Sequence, residues 1–154
     1  MLLQVQPNSY SCLLTAFASV GEVPVYDFIE LVGHDGKEII WPQLAPPQCF
    51  RNWHYQELIK ACLSIGWAVT PIDRWIETSP GPGIPPHEIS HNDYFDSLLV
   101  EATGVLAVRT NKGVGHALIF DKGKYYDPAI GKATSLKNFY IRDQLWLFNR
   151  INFE

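Results

Sequence analysis

The sequence contains no long apolar run and no excess of basic residues. Its apolar stretches span a few residues each, far short of the roughly 20 that a membrane-spanning helix requires. The 12 basic residues are outnumbered by 16 acidic ones, so there is no positive field for a nucleic-acid backbone. The N-terminus lacks the basic and apolar stretches of a secretion signal. These absences predict a cytoplasmic protein that binds neither membranes nor nucleic acid.

Cysteine is scarce, with three residues at Cys12, Cys49 and Cys62. An odd number cannot all pair within one chain, which indicates a reducing compartment in which the thiols stay free. A chain of 154 residues also buries enough surface to fold without disulfides or a structural metal. The paired Cys and His spacings of zinc sites are absent. We therefore expect no metal and no cofactor, and one thiol is available for chemistry.

Length and composition are those of one globular domain, 1–154. Early segments with apolar residues at helical spacing, each ending at a glycine, predict helices at 11–20, 24–32 and 52–65. Asn52 is the predicted cap of the third helix. Later apolar runs bounded by turn residues predict strands at 67–72, 104–109, 116–120, 124–127 and 144–151, with a short helix at 91–99. Helices followed by strands indicate an α+β fold with an antiparallel sheet.

Two proline-rich segments, 41–48 and 79–86, are predicted to be surface connections rather than the rims of a binding cleft. Trp41 and Trp53 can form an aromatic wall for a peptide. In a domain of this size, however, we expect both tryptophans to pack in the structure.

Cys12 lies at the opening of the first predicted helix, directly after Gln6-Pro-Asn-Ser-Tyr-Ser. The positive end of a helix dipole favours the thiolate, which is the nucleophilic form of cysteine. A cysteine beside leucines is ordinarily an inert packing residue, so Cys12 becomes a candidate nucleophile only together with other groups. Cys62 lies on the apolar stripe of the third helix and is predicted to belong to the core.

The other groups lie in a predicted β-hairpin whose turn is Asp121-Lys122-Gly123. His116 starts the first strand after a glycine-rich approach, and Asp127 ends the second strand. Counting outward from the turn places both at the open end of the hairpin, where they can be cross-strand neighbours. Cys12, His116 and Asp127 thus match the nucleophile, the imidazole base and the orienting carboxylate that a thiol uses in nucleophilic catalysis.

Gln6, Cys12, His116 and Asp127 together resemble the motifs of papain-like cysteine peptidases. The resemblance is closest to the small bacteriocin-processing (double-glycine leader) peptidases and their peptidase-like relatives in bacteria and phages. It implies that Gln6, six residues before the nucleophile Cys12, supplies an oxyanion-hole donor. It also implies that His116 is the base and Asp127, followed by proline as is usual in this family, is the orienting carboxylate.

The resemblance implies a single papain-like domain with the nucleophile at the start of the first helix. The length of 154 residues leaves little room for a propeptide in such a fold. The implied activity is cleavage of a peptide or isopeptide bond in a protein or peptide substrate through an acyl-enzyme. Deamidation or acyl transfer by the same triad, and a peptide-binding domain without turnover, remain open. Leu13 and Leu14 follow the cysteine where the family commonly has a small residue, which narrows the site or alters the substrate. A phage-encoded or delivered product is expected in the host cytoplasm.

Overall fold

The chain runs from helices to strands, as the sequence predicts. The computed structural model describes residues 1–74 and 86–151. Over these residues the elements are α1 (Cys12–Val20), α2 (Val25–Val32), α3 (Tyr55–Ser64), β1 (Trp67–Asp73), α4 (Pro86–Glu101), β2 (Thr103–Thr110), β3 (Gly115–Asp121), β4 (Lys124–Asp127), β5 (Lys132–Thr134) and β6 (Phe139–Arg150). A short 3-10 helix, Leu136–Asn138, precedes β6. The α+β class is thereby confirmed.

The described strands form one six-stranded antiparallel sheet in the order β1-β6-β2-β3-β4-β5. β6 is inserted between β1 and β2, pairing Arg150 with Trp67 on one side and Phe139 with Thr110 on the other. Only the second half of β6 was expected, because residues 139–143 include polar and charged side chains. β5 was not expected, because three residues give too short an apolar pattern.

Both faces of the sheet are covered, and α1 covers one of them. Phe17 of α1 is fully buried and makes edge-on contacts with Trp146 and Phe148 of β6, at ring-centroid distances of 5.7 and 5.3 Å. Phe95 and Leu99 of α4 belong to a separate apolar cluster formed by alternate residues of the same strands. Because side chains alternate across a strand, the two clusters lie on opposite faces.

The prediction that Asn52 caps α3 was wrong. His54 is the N-cap residue: its Nδ1 accepts from the Gln56 N–H at 3.2 Å, while the Glu57 carboxylate accepts from the His54 N–H at 3.0 Å. A capping residue needs an extended backbone, whereas Asn52 has a left-handed φ of 56°. Asparagine tolerates that conformation, which lets the chain turn before α3 begins.

The two tryptophans differ in their exposure to solvent. Trp53 is 8% exposed and packs as expected, but Trp41 is 51% exposed, so the packing prediction was wrong for Trp41. Residues 41–48 form an exposed connection, as predicted. The second proline-rich segment lies outside the described residues except for Pro86, where α4 begins earlier than the predicted 91.

Within the described part of the chain, no single helix has the length and apolar character needed to cross a membrane. The helices α1 and α2 reach the required length and hydropathy when taken as a pair, and they are bent by 104°. α1 is mostly buried in the core.

Candidate active site

His116 and Asp127 form a short ion-pair contact. The His116 Nε2 lies 2.6 Å from the Asp127 Oδ1, and each side chain is only 12% exposed. The same Oδ1 of Asp127 also accepts from the Ala129 N–H at 2.8 Å, which further restricts the carboxylate. Two donors therefore hold the carboxylate at one end of β4.

The two residues do not lie directly opposite each other in the hairpin. The register pairs Ile119 with Tyr126, and continuing it places Asp127 opposite Leu118, two positions from His116 on the same face. The side chains therefore meet diagonally, within the reach of long side chains on neighbouring strands. His116 is the second residue of β3, one position later than expected.

The contact with Asp127 determines how the imidazole can act. A neutral ring that donates from Nε2 to the carboxylate has an unprotonated Nδ1, which is free to accept a proton. Cys12 is the second polar group that acts on this ring, and its hydrogen bonding and charge both raise the pKa of His116. Cys12 and Asp127 therefore both act electrostatically on the His116 imidazole.

This arrangement shifts two ionisation equilibria. Burial lowers the pKa of His116, but hydrogen bonds to Asp127 and Cys12 and their charges outweigh burial and raise it to about 9. Burial raises the pKa of Asp127, but the His116 and Ala129 hydrogen bonds outweigh it, so that this pKa is lowered. The site therefore favours an imidazolium beside a carboxylate at neutral pH.

Cys12 is placed by the start of α1. It is the first helical residue and is partly buried. Its backbone N–H belongs to the first turn of the helix, where N–H groups have no partner within the helix and can bind an anion. Ser11 occupies the cap position, but its Oγ donates to the Asn8 carbonyl at 3.0 Å instead of capping the helix.

Gln6 is connected to the same site through the backbone. Its N–H donates to the Pro128 carbonyl at 2.8 Å, directly after Asp127. The Gln6 Oε1 is buried with no hydrogen-bond partner among the described residues. Because the amide carbonyl is directed into the protein, the NH2 group is the end of this side chain available to a ligand.

Sequence reasoning missed one contributor to the site. The Phe139 ring lies nearly parallel to the His116 ring, with centroids 6.0 Å apart and an interplanar angle of 21°. Phe139 begins the unpredicted half of β6, and its sequence neighbourhood carries no signal for this contact. Stacking on Phe139 restricts the orientation of the imidazole.

The other two cysteines are buried in the protein interior. Cys62 is fully buried, and burial raises the pKa of its thiol to about 12, which confirms its predicted place in the core. Cys49 is 4% exposed. Among the residues in 1–74 and 86–151, no group of three or more His, Cys, Asp or Glu side chains is arranged to hold a metal ion.

No family model matches this sequence, and no curated protein matches it.

Proposed function

We propose that the chain is a papain-like cysteine peptidase, a thiol hydrolase that cleaves a peptide or isopeptide bond through an acyl-enzyme. The observation that carries the proposal is the 2.6 Å contact between His116 and Asp127, together with the electrostatic coupling of Cys12 to the same imidazole, whose pKa is raised to about 9. An imidazolium next to a thiol favours the ionised sulfur, which is the attacking species. The helices-first order, with Cys12 starting α1, is also that expected of a papain-like fold.

The first step is attack by the Cys12 thiolate on the substrate carbonyl carbon. A carbon–sulfur bond forms, and the electron pair of the C=O double bond moves to the oxygen. The resulting oxyanion accepts hydrogen bonds from the Cys12 backbone N–H and the Gln6 side-chain NH2. Donors aimed at this developing charge stabilise the transition state more than the bound substrate.

His116 carries the protons of the remaining steps. Its imidazolium protonates the leaving amine as the carbon–nitrogen bond breaks, which leaves the acyl group on Cys12. Neutral His116 then removes a proton from water, which attacks the thioester and releases the acid and the thiolate. Asp127 and Phe139 keep the ring oriented through both steps.

The experiment that tests this proposal is alkylation with iodoacetamide at pH 6, read by peptide mapping. Because burial alone slows Cys49 and Cys62, the decisive comparison is Cys12 in the wild type and in His116→Ala. We expect Cys12 to react faster than glutathione in the wild type and at least about tenfold more slowly in His116→Ala. His54→Ala is the matched control, because His54 is exposed and caps α3.

A Cys12 rate no faster than that of glutathione, or unchanged by His116→Ala, would contradict the proposal. Turnover is then tested on a mixture of peptides by mass spectrometry, with Cys12→Ala as the inactive reference. Cleaved products support hydrolysis, whereas intact peptides with an altered side-chain amide indicate deamidation by the same residues.

A further inference from the structure

The turn between Gln6 and Cys12 is anchored by the ring of Tyr10. The ring centroid of Tyr10 lies 5.3 Å from that of Phe50 at an interplanar angle of 44°. It lies 6.1 Å from that of Trp53 at 21°, which is a stacked arrangement. Aromatic pairs at such separations add stabilisation beyond that of buried area. Tyr10 therefore holds this turn against a separate part of the chain.

Trp53, one of the two rings that contact Tyr10, is itself held in place by several contacts. The Trp53 Nε1 donates to the His34 carbonyl at 3.1 Å, and the His34 ring stacks on Trp53 at a centroid distance of 6.2 Å. A Cβ at Gly36 would lie 3.0 Å from the Trp53 ring, so the backbone approaches it closely. The His34 Nε2 lies 3.0 Å from the carboxylate of Glu57, which belongs to the capping box of α3. Trp53 is thus linked through His34 to the N-terminus of α3.

Two further hydrogen bonds hold the turn, one to another segment of the chain and one within the turn. The Gln6 N–H donates to Pro128 beside the site, and the Tyr10 N–H donates to the Asn8 Oδ1 at 3.3 Å. These bonds fix its first half and its internal shape. The Tyr10 ring fixes the second half, immediately before Cys12.

We propose that Tyr10 is a positioning residue, whose ring between Phe50 and Trp53 sets the separation of the Gln6 amide from the Cys12 backbone N–H. The inference rests on the proposed function, because that separation matters when both groups bind one oxyanion. Oxyanion donors must lie about 2.7–3.1 Å from the oxygen that they stabilise. A displacement of about 1 Å can cost about 100-fold in rate.

Two thiol reagents distinguish an effect on the oxyanion hole from an effect on the reactivity of the thiolate. Iodoacetamide is attacked by sulfur at a saturated carbon and creates no oxyanion. With a leucine-based tripeptide aldehyde, sulfur adds to the aldehyde carbon, and the carbonyl oxygen takes the electron pair before receiving a proton from His116. Only the aldehyde adduct therefore depends on the Gln6 and Cys12 donors.

The test compares Tyr10→Ala, Tyr10→Phe and the matched control Tyr26→Ala, in which Tyr26 is 68% exposed on α2. In Tyr10→Ala we expect aldehyde affinity to fall about tenfold or more, with an unchanged pH profile of Cys12 alkylation. Tyr10→Phe keeps the ring and should restore affinity to within about twofold. Tyr26→Ala should match the wild type in both measurements.

The Gln6→Ala background shows whether Tyr10 acts through Gln6. If it does, Tyr10→Ala combined with Gln6→Ala weakens aldehyde binding little further than Gln6→Ala alone, because coupled residues are not additive. The inference would be overturned if the losses of aldehyde affinity in the two single variants multiplied in full in the double variant. It would also be overturned if Tyr10→Ala bound the aldehyde as tightly as the wild type.

A readout independent of catalysis is the NMR signal of the Gln6 side-chain NH2. We expect its chemical shifts to move in Tyr10→Ala and not in Tyr26→Ala. Unmoved shifts refute the positioning role even if the enzyme is active. If the shifts move but wild-type Cys12 shows no enhanced alkylation, the positioning role stands and the proposed function fails.

Discussion

His116 experiences opposing influences from its surroundings. Partial burial disfavours the imidazolium, whereas hydrogen bonds and charges from Asp127 and Cys12 favour it, and the favourable influences prevail. The Nε2 of the ring thus has a defined partner in Asp127, which a histidine in solvent does not have. The contact of the Asp127 carboxylate with His116, at 2.6 Å, is shorter than its hydrogen bond from the Ala129 N–H, at 2.8 Å.

The ionisation of His116 should depend on Asp127. We expect an NMR titration of the His116 ring to show a midpoint near 9 in the wild type, since that is the value to which its pKa is raised. In Asp127→Asn the midpoint should fall toward the ordinary 6.5, because a neutral amide cannot attract the imidazolium. The control Asp27→Asn, an exposed position on α2, should leave it unchanged. Equal midpoints in Asp127→Asn and the wild type would show that the carboxylate does not control this ring.

At the scale of elements, the N-terminal segment is placed by the turn after β4. Gly131 has a φ of 65°, and a Cβ there would lie 2.8 Å from the Cγ2 of Val5, the residue before Gln6. The Gly131 N–H donates to the Asp127 carbonyl at 2.8 Å. One glycine thus sets the approach of the Gln6 segment to the end of β4.

Gly131→Ala should disturb both stability and the site. Gly123, in the β3–β4 turn, also has a positive φ of 86°, but a Cβ added there would meet no atom within 4 Å, so Gly123→Ala isolates the cost of backbone strain. That cost is about 1–2 kcal/mol for an L-residue in this region. We expect both variants to unfold at lower temperature, but only Gly131→Ala to lose affinity for the peptide aldehyde. A similar loss in Gly123→Ala would indicate general destabilisation instead.

The hairpin and the first helix were predictable element by element, whereas the first half of β6 was not. Helical spacing, terminal glycines and the Asp121-Lys122-Gly123 turn act over a few residues, so they can be read locally. The full length of β6 depends on pairing with β1 and β2, which are distant in sequence. The Phe139 contact with His116 is a consequence of that pairing.

For the whole molecule, the site makes stability depend on pH. His116 has a folded-state pKa raised above 6.5, so its contribution is fully present below pH 6.5 and is lost as pH rises through about 9. Asp127 has a pKa lowered from 3.8, so its contribution is present above pH 3.8 and is lost as pH falls through the lowered value. The contributions of both groups are complete between these limits.

Urea unfolding of the wild type and Asp127→Asn across pH tests this dependence. The difference in their free energy of unfolding should be constant between pH 3.8 and 6.5 and should shrink toward pH 9, where the imidazolium deprotonates. It should also shrink at lower pH, where the carboxylate is protonated. A difference independent of pH would attribute the destabilisation to lost packing rather than to the charge pair.

The sequence by itself determined the helix that begins at Cys12, the six-residue spacing from Gln6 and the hairpin that carries His116 and Asp127. These features depend on helix periodicity and turn chemistry, which act between near neighbours. The tertiary structure decided that His116 and Asp127 meet diagonally and that Cys12 is close enough to influence the imidazole electrostatically. Sheet register and the packing of α1 on the sheet bring together residues far apart in the chain, so local sequence patterns do not encode these contacts.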